Sequence, residues 1–161
     1  MTLEELNGLD EPKAVEALMI CCGSARWAMA VARRRPYRDA AQLQATAEDA
    51  WSRCGREDFL EAFSRHPRIG DKAALELKFA GGEQGSIAKA SDETIDALAR
   101  ANADYEKRFG HIFIVCATGK SAEEMLALLR ARAGNAPEDE LAIAAGEQAK
   151  ITRLRLAKLL S

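Results

Sequence analysis

Residues 137–160 read PEDELAIAAGEQAKITRLRLAKLL, and this stretch decides the fold class. Its mostly apolar positions recur at steps of three and four, which places them on one face of a helix: Leu141, Ala144, Gln148, Ile151 and Arg155. Pro137 suits the first helical position because its missing N–H has no partner there anyway. The pattern predicts one long helix that starts at Asn135-Ala136-Pro137 and runs nearly to the end of the chain.

The same helical period recurs toward the amino terminus, with recognisable start and stop residues. Ser121 and Glu124 have the spacing of a capping box. Pro36 and Gly55 are expected to end the second and third helices. The predicted helices begin after Asp10 and then cover about 25–35, 39–54, 57–64, 91–110 and the stretch after Ser121, with a weaker possibility at 73–79.

The run 112–116, IFIVC, differs from this pattern because it is β-branched and apolar on both sides. It predicts a buried extended segment that is too isolated to build a sheet. We see no internal repeat and no long linker. The sequence therefore predicts an all-α fold, a helical bundle forming a single domain over residues 1–161, with one short buried extended segment.

Composition restricts the possible partners. The chain has 161 residues, 48% of them hydrophobic, and a formal net charge of −2, so no strong field attracts nucleic acid or an anionic membrane. The basic cluster Arg33–Arg35 is interpreted as a solvated helix end. No apolar run is long enough for a membrane span, and no secretory signal is visible. We expect a cytoplasmic protein without nucleic-acid or membrane partners.

The cysteines and histidines do not have the spacing of a metal site. Cys21, Cys22, Cys54 and Cys116 include no CxxC pair, and the two histidines are far apart in the chain. Adjacent Cys21 and Cys22 lie in an apolar run, where cysteine packs as a small hydrophobic residue. Cys116 is a possible nucleophile, but its apolar surroundings favour a packing role. We therefore expect no metal and no disulfide framework.

Two places offer acid–base chemistry. His66 follows a short amphipathic helix and precedes Pro67, which disfavours helical geometry at His66. A histidine held by a rigid turn suits proton transfer because its ordinary pKa is near 6.5, although it can equally bond a helix-end carbonyl. Glu83 and Gln84 lie between glycines that permit close approach to a ligand. The alternative there is an ordinary polar surface loop.

Arg155 is the third candidate, and helix phase selects it. It continues the stripe of the last helix, whereas Arg153 is about 200° round from Ile151 and should face solvent. Arg155 either extends past the apolar surface to reach water or binds an anion, for which its planar guanidinium suits a carboxylate. No Rossmann, P-loop or HExxH motif is present, and Gly119-Lys120-Ser121 is interpreted as a turn into a helix cap.

Several segments, in order, resemble the family of OHCU (2-oxo-4-hydroxy-4-carboxy-5-ureidoimidazoline) decarboxylases of urate catabolism. They run the length of the chain: LNGLDEPKAVEAL at 6–18, HPRIGDK at 66–72, EQ at 83–84, YEKRFGHIFIVCATGKSAEEML at 105–126 and ITRLRLAKLL at 151–160. The resemblance implies an all-helical, usually dimeric carboxy-lyase. It implies an enzyme that needs no cofactor and releases CO2 from a small anionic ureidoimidazoline to give (S)-allantoin.

The resemblance also assigns roles to residues of this chain. It implies that His66 and Glu83 are catalytic and that Pro67 follows the histidine in the site. Gln84 and Arg155 would bind substrate. Main-chain contacts are expected from the extended segment, at Ile114, Val115, Cys116 and Ala117.

Two positions depart from the family pattern. Many members have serine where this chain has Ala80, so one side-chain contact with substrate is absent or replaced. His111 stands where many members have another residue, and we interpret it as a partly exposed histidine at a helix end. The departures at Ala80 and in the loop after the EQ pair leave open a relative that acts on another ureido or hydroxy acid. The candidate site residues also allow a helical module that binds a small anion or a partner helix without turnover.

Overall fold

A computed structural model describes residues 1–66 and 92–161. These residues form eight helices, and no β-strand is present among them. The helices are α1 Leu3–Gly8, α2 Glu11–Cys21, α3 Ala25–Arg33, α4 Ala40–Ser52, α5 Arg56–Ser64, α6 Asp92–Phe109, α7 Ala122–Arg132 and α8 Pro137–Leu159. The all-α prediction is confirmed. The possible helix at 73–79 lies outside the described residues.

Most helix starts follow from local side-chain caps. Asp10, Ser24 and Asp39 each accept a hydrogen bond from a backbone N–H in the first turn of α2, α3 and α4. Ser121 does the same for α7, which confirms the predicted N-cap and the turn at Gly119. The Glu124 carboxylate accepts a bond from the Ser121 hydroxyl at 3.2 Å, so only the serine half of the predicted capping box is seen. α8 begins at Pro137 as predicted.

Two helix predictions were wrong. Gly55 does not end α4, which stops at Ser52; Gly55 is instead the N-cap of α5, where its N–H bonds the Asp58 carboxylate at 2.9 Å. The short helix α1 was missed altogether. Its signal is present in the sequence, because Thr2 and Glu5 form a reciprocal capping box. Six residues have too little apolar periodicity to stand out beside the longer helices.

The chain divides into two compact units, one of residues 1–65 with 145–161 and one of residues 66–144. In the first unit α3 packs against α2, α4 and α5. Trp27 of α3 is fully buried, and its indole N–H donates to the Ala47 carbonyl at 3.0 Å. Trp51 donates in the same way to the Ala145 carbonyl at 2.9 Å. Each buried indole thus keeps its polar atom satisfied.

The three arginines 33–35, predicted to be a solvated cluster, have different environments. Arg33 and Arg34 are exposed and form ion pairs with Glu11 and Asp49, respectively. Arg35 instead donates to three main-chain carbonyls, those of Ala32, Leu6 and Leu9, at 2.8, 2.6 and 2.8 Å. These carbonyls lie at the carboxyl-terminal ends of α3 and α1, where the regular i to i+4 hydrogen bonding of a helix stops. Arg35 is therefore a structural clasp rather than a solvated charge.

In the second unit α6 packs against α7. Their shared core includes a group of aromatic rings, in which Tyr105 lies 4.6 Å from Phe109 and 5.2 Å from Phe113 between ring centroids. Residues 112–117 have neither helical nor strand structure, and Phe113, Ile114, Val115 and Ala117 are buried. This confirms the prediction of one short buried segment that forms no sheet.

None of the helices in the described ranges combines the length and the apolar character that crossing a bilayer requires.

Gly23 is a position where the fold tolerates no side chain. A Cβ added there would lie 2.3 Å from Cγ and 2.7 Å from Cβ of Arg65, the residue that ends α5 and precedes His66. These are the inner atoms of the arginine side chain, which cannot swing away without moving the backbone. We expect Gly23→Ala to lower the free energy of unfolding by about 1–3 kcal/mol, the usual cost of overpacking. Urea unfolding would measure it.

Gly8→Ala is the matched control. No heavy atom lies within 4 Å of a Cβ built at Gly8, which is inside α1. Alanine is the better helix former, so this variant should be neutral or slightly more stable. Equal unfolding midpoints for the two variants would show that the contact between Gly23 and Arg65 is unimportant.

Candidate active site

His66 directly follows α5 and its C-cap Arg65. The helix is anchored just before it by Phe63, which is fully buried, and His66 itself is half-buried. A histidine fixed by a packed helix end and still partly accessible has the exposure that acid–base chemistry needs. Pro67, which was predicted to disfavour helical geometry at His66, lies outside the described residues.

Arg155 lies on α8 in the first unit, and the helix-phase prediction is confirmed. Arg155 is half-buried, whereas the side chain of Arg153 is 64% exposed and pairs with Glu48 at 2.7 Å. The charge of Arg155 acts on the buried thiol of Cys21 at the end of α2. An arginine in this position is only partly hydrated, which strengthens its attraction for an anionic ligand.

Polar side chains line the helix face next to Arg155. Gln148 is fully buried and donates to the Thr152 hydroxyl at 3.1 Å, and Thr152 in turn has a hydrogen bond with Cys22. The prediction that Cys21 and Cys22 pack as buried groups is confirmed. Burial raises the pKa of the Cys21 thiol to about 11 and that of Cys22 to about 12, from an ordinary 9.0. Both are therefore uncharged at neutral pH.

These shifts predict an alkaline loss of stability. Above pH 9 the unfolded chain releases thiol protons that the folded chain keeps, so stability falls as pH rises toward the folded pKa values of about 11 and 12. Without the Cys22 thiol, the loss in unfolding free energy between pH 8 and pH 10.5 should shrink by roughly 1–2 kcal/mol. Urea unfolding of Cys22→Ala and Cys22→Val at both pH values measures this. Alanine is smaller than cysteine and valine is larger, so the two variants alter packing in opposite ways. If both lose as much unfolding free energy between the two pH values as wild type does, the Cys22 thiol is not the cause of the alkaline loss.

The main chain of 112–117 is held at several carbonyl groups. The Ile114 carbonyl accepts a hydrogen bond from Arg132 Nη1 at 2.8 Å. The Cys116 carbonyl accepts one from Lys120 Nζ at 2.8 Å, and the Ala117 carbonyl accepts from the Lys120 N–H at 3.0 Å. Cys116 is half-buried rather than enclosed and forms no disulfide. The segment is thus a fixed piece of backbone next to a turn.

A buried ion pair between Arg132 and Glu140 contacts the 112–117 segment through the Ile114 carbonyl. Arg132 donates to the Glu140 carboxylate from Nε at 3.0 Å and from Nη2 at 2.6 Å, and Glu140 has no exposed surface. The Tyr105 hydroxyl and the Asn135 amide also donate to Glu140. Burial alone would raise the pKa of the Glu140 carboxyl, but the bonds from Arg132 and Tyr105 outweigh it and lower that pKa. Glu140 is therefore a carboxylate at neutral pH.

Sequence reasoning missed Arg132 and Glu140. A signal existed for Glu140, which lies four residues before Ala144 and eight before Gln148, on the same buried face of α8. The spacing of three and four residues that placed Arg155 on the buried face of α8 also places Glu140 there, one turn before Ala144. Arg132 offers no such signal, because a basic residue in the last turn of a helix is ordinarily solvated.

His111 corrects another prediction. It was expected to be partly exposed at a helix end, but only 8% of it is exposed. Its ring lies edge-on to Tyr105 at 5.6 Å and stacks on Phe109 at 6.1 Å. Its Nδ1 is 3.0 Å from the Ile112 carbonyl. His111 is therefore part of the aromatic core beside the 112–117 segment.

The remaining predicted site residues are Ala80, Glu83 and Gln84, and they lie outside the described residues together with Pro67. Within residues 1–66 and 92–161, no three His, Cys, Asp or Glu side chains are grouped so that they could hold a metal ion.

Comparison with known proteins adds a family match. The family model for OHCU decarboxylase matches residues 7–157. The chain is similar to the uric acid degradation bifunctional protein TTL of Arabidopsis thaliana, with 40% identity over 88% of this chain and 46% of that protein. It is 30% identical to the 2-oxo-4-hydroxy-4-carboxy-5-ureidoimidazoline decarboxylase of Amia calva, over 83% of this chain and 79% of that one.

The fold is also similar to a solved structure. A crystal structure of OHCU decarboxylase in the presence of (S)-allantoin superposes with a TM-score of 0.77 and 41% identity. That match covers 88% of this chain and 95% of the other. The chain spans about half the length of the Arabidopsis protein and a third of the bifunctional protein PucL of Bacillus subtilis, to which it is 26% identical.

Proposed function

This chain belongs to the OHCU decarboxylase family, and from that membership we propose that it decarboxylates 2-oxo-4-hydroxy-4-carboxy-5-ureidoimidazoline to (S)-allantoin. The observation that carries the proposal is the 41% identity with a solved OHCU decarboxylase across 95% of that protein's chain. The family match from residue 7 to residue 157 includes every residue assigned to the site. It also supports a single catalytic domain over residues 1–161.

The proposed reaction breaks one carbon–carbon bond. The substrate carries a carboxylate and a hydroxyl on one ring carbon, next to an imine-like carbon that bears the ureido group. As CO2 leaves, the bond's electron pair moves into the ring and forms a carbon–carbon double bond, while the ring nitrogen takes the charge. One proton from outside the substrate then adds at the ureido-bearing carbon. The hydroxyl proton passes to the ring nitrogen as the hydroxyl becomes a carbonyl, and the neutral product is allantoin. The ring itself accepts the electrons, so the proposed step needs no cofactor.

The protein's task in this step is orientation and charge stabilisation. The carboxylate must stand out of the ring plane, so that the breaking bond overlaps with the imine. Arg155 binds an anionic or carbonyl group of the substrate with its planar guanidinium. His66, oriented by Glu83, bonds the hydroxyl or carboxylate and steers proton transfer.

The ureido arm is the second recognition element. Gln84 and the main chain of Ile114, Val115, Cys116 and Ala117 hold it. The same main chain also contacts the adjoining ring groups, where negative charge develops as CO2 leaves. The hydrogen bonds that fix this backbone in the described structure support that role, because fixed donors need no rearrangement during the reaction. Ala80 supplies no side-chain hydrogen bond, so recognition at that point depends on neighbouring groups.

A coupled assay tests the proposal. Urate oxidase and hydroxyisourate hydrolase generate the unstable substrate from urate, and circular dichroism follows allantoin after this protein is added. We expect rapid growth of an optically active signal, because the enzyme protonates one face. A rate and a racemic product equal to the protein-free control would overturn the proposal and favour the anion-binding module.

We further propose a cytoplasmic homodimer whose partners, apart from its own second copy, are small molecules rather than nucleic acid or membrane. The near-neutral net charge of −2 supports the absence of a nucleic-acid partner. Sedimentation equilibrium of the purified chain measures the oligomeric state.

A further inference from the structure

We propose that Arg132 and Lys120 are positioning residues for the decarboxylation, acting through the carbonyl groups of Ile114 and Cys116. The inference rests on the proposed function, in which the main chain of 114–117 contacts the substrate. It goes beyond that function because neither cation is expected to touch the substrate. Both hold the peptide groups that do.

Arg132 reaches the segment from the buried side. Two of its nitrogens engage Glu140, and the third, Nη1, is left to bond the Ile114 carbonyl at 2.8 Å. The guanidinium also lies over the Phe113 ring, with Cζ 4.4 Å from the centroid. A single planar group thus fixes one carbonyl and the neighbouring side chain, while Glu140 and its partners fix the guanidinium.

Lys120 reaches the segment from the turn that follows it. Gly119 has φ = +77°, a conformation that favours glycine, and this reverses the chain so that Lys120 returns to the segment. Its ammonium bonds the Cys116 carbonyl at 2.8 Å, and its own N–H bonds the Ala117 carbonyl at 3.0 Å. The Gly119-Lys120-Ser121 motif therefore has a use beyond starting α7.

Both hydrogen bonds are charge-assisted, and this has a chemical consequence. A cation on a peptide carbonyl polarises the whole amide, so that the N–H of the same peptide group becomes a stronger donor. The N–H groups concerned are those of Val115 and Ala117. Donors of this kind stabilise negative charge, and the decarboxylation develops such charge as CO2 leaves. The two cations should therefore act mainly on kcat.

The test for Arg132 is Arg132→Lys, with Arg130→Lys as the matched control. Lysine keeps a positive charge for Glu140 but lacks the fork that reaches Glu140 and Ile114 together. Arg130 is exposed on the same helix, so its variant makes an identical chemical change away from the segment. In the coupled assay we expect Arg132→Lys to lower kcat by about 10- to 100-fold with KM within about threefold, and Arg130→Lys to match wild type.

The test for Lys120 includes a rescue. Lys120→Met removes the donor and should lower kcat by about 10-fold, whereas Lys120→Arg restores a cation at the Cys116 carbonyl and should recover most of it. Lys107→Met, at an exposed position on α6, controls for the loss of one surface charge. Far-UV circular dichroism and thermal midpoints set an assay temperature at which every variant is folded.

The outcomes separate this inference from the proposed function. If wild type fails to accelerate the reaction, the proposed function falls and this inference falls with it. If wild type turns over and both Arg132→Lys and Lys120→Met keep its kcat, only the positioning role is overturned. A loss confined to KM also overturns it, since the cations would then favour ground-state binding alone. Failure of Lys120→Arg to recover activity would show that charge at the carbonyl is not the cause.

Discussion

We expect Arg155→Gln to lower kcat/KM in the coupled assay by roughly 10- to 150-fold, which corresponds to about 1.5–3 kcal/mol for a hydrogen bond to a charged group. Glutamine is polar, but it is shorter than arginine and uncharged, so it cannot offer a charged, planar pair of donors to an anion. Arg155 is half-buried, so its charge is only partly screened by water, and that charge acts on the buried thiol of Cys21.

Arg153→Gln is the matched control for that result. Arg153 is two residues away on the same helix, with the same chemistry, but it is exposed and pairs with Glu48. Surface pairs of this kind contribute at most about 1 kcal/mol to stability. We expect its kcat/KM to stay within about twofold of wild type. Equal losses in the two variants would mean that a general change in charge, and not the position of Arg155, sets activity.

We expect His66→Asn to lower kcat by about 10²-fold or more, the scale of lost acid–base assistance. Asparagine keeps a hydrogen-bonding side chain but can neither accept nor release a proton near neutral pH. The coupled assay would show slow, weakly chiral product formation, because uncatalysed decarboxylation competes. Near-wild-type kinetics in this variant would remove His66 from the mechanism.

Folding of the His66 variants can be checked independently. His66 is half-buried and follows the end of α5, so the substitution removes little core packing. Thermal midpoints near wild type, with an unchanged far-UV spectrum, are expected for both His66→Asn and His66→Gln. A large fall in the thermal midpoint of either variant would mean that unfolding, and not the loss of the imidazole, lowers its activity.

The sequence predicted the helices because their signals are local. Caps such as Ser24 and Ser121 bond N–H groups three residues away, and helix phase needs only the spacing along one element. The same phase correctly separated Arg155 from Arg153. It failed at Gly55, where a glycine that commonly ends one helix instead begins the next. The prediction that His111 is partly exposed failed for a different reason. Its burial depends on contacts with the rings of Tyr105 and Phe109, which form only when the chain after α6 folds back onto that helix.

The sequence by itself determined the all-α class, the buried segment at 112–116, the likeness to the OHCU decarboxylases and the face on which Arg155 lies. Only the tertiary structure decided that Arg35 clasps two helix ends, that Gly23 admits no side chain beside Arg65, and that Arg132 joins Glu140 to the Ile114 carbonyl. The Ile114 carbonyl and Arg132 are eighteen residues apart, and Leu6 and Arg35 are twenty-nine apart. Hydrogen bonds over such separations depend on how helices pack, which no local spacing of residues records.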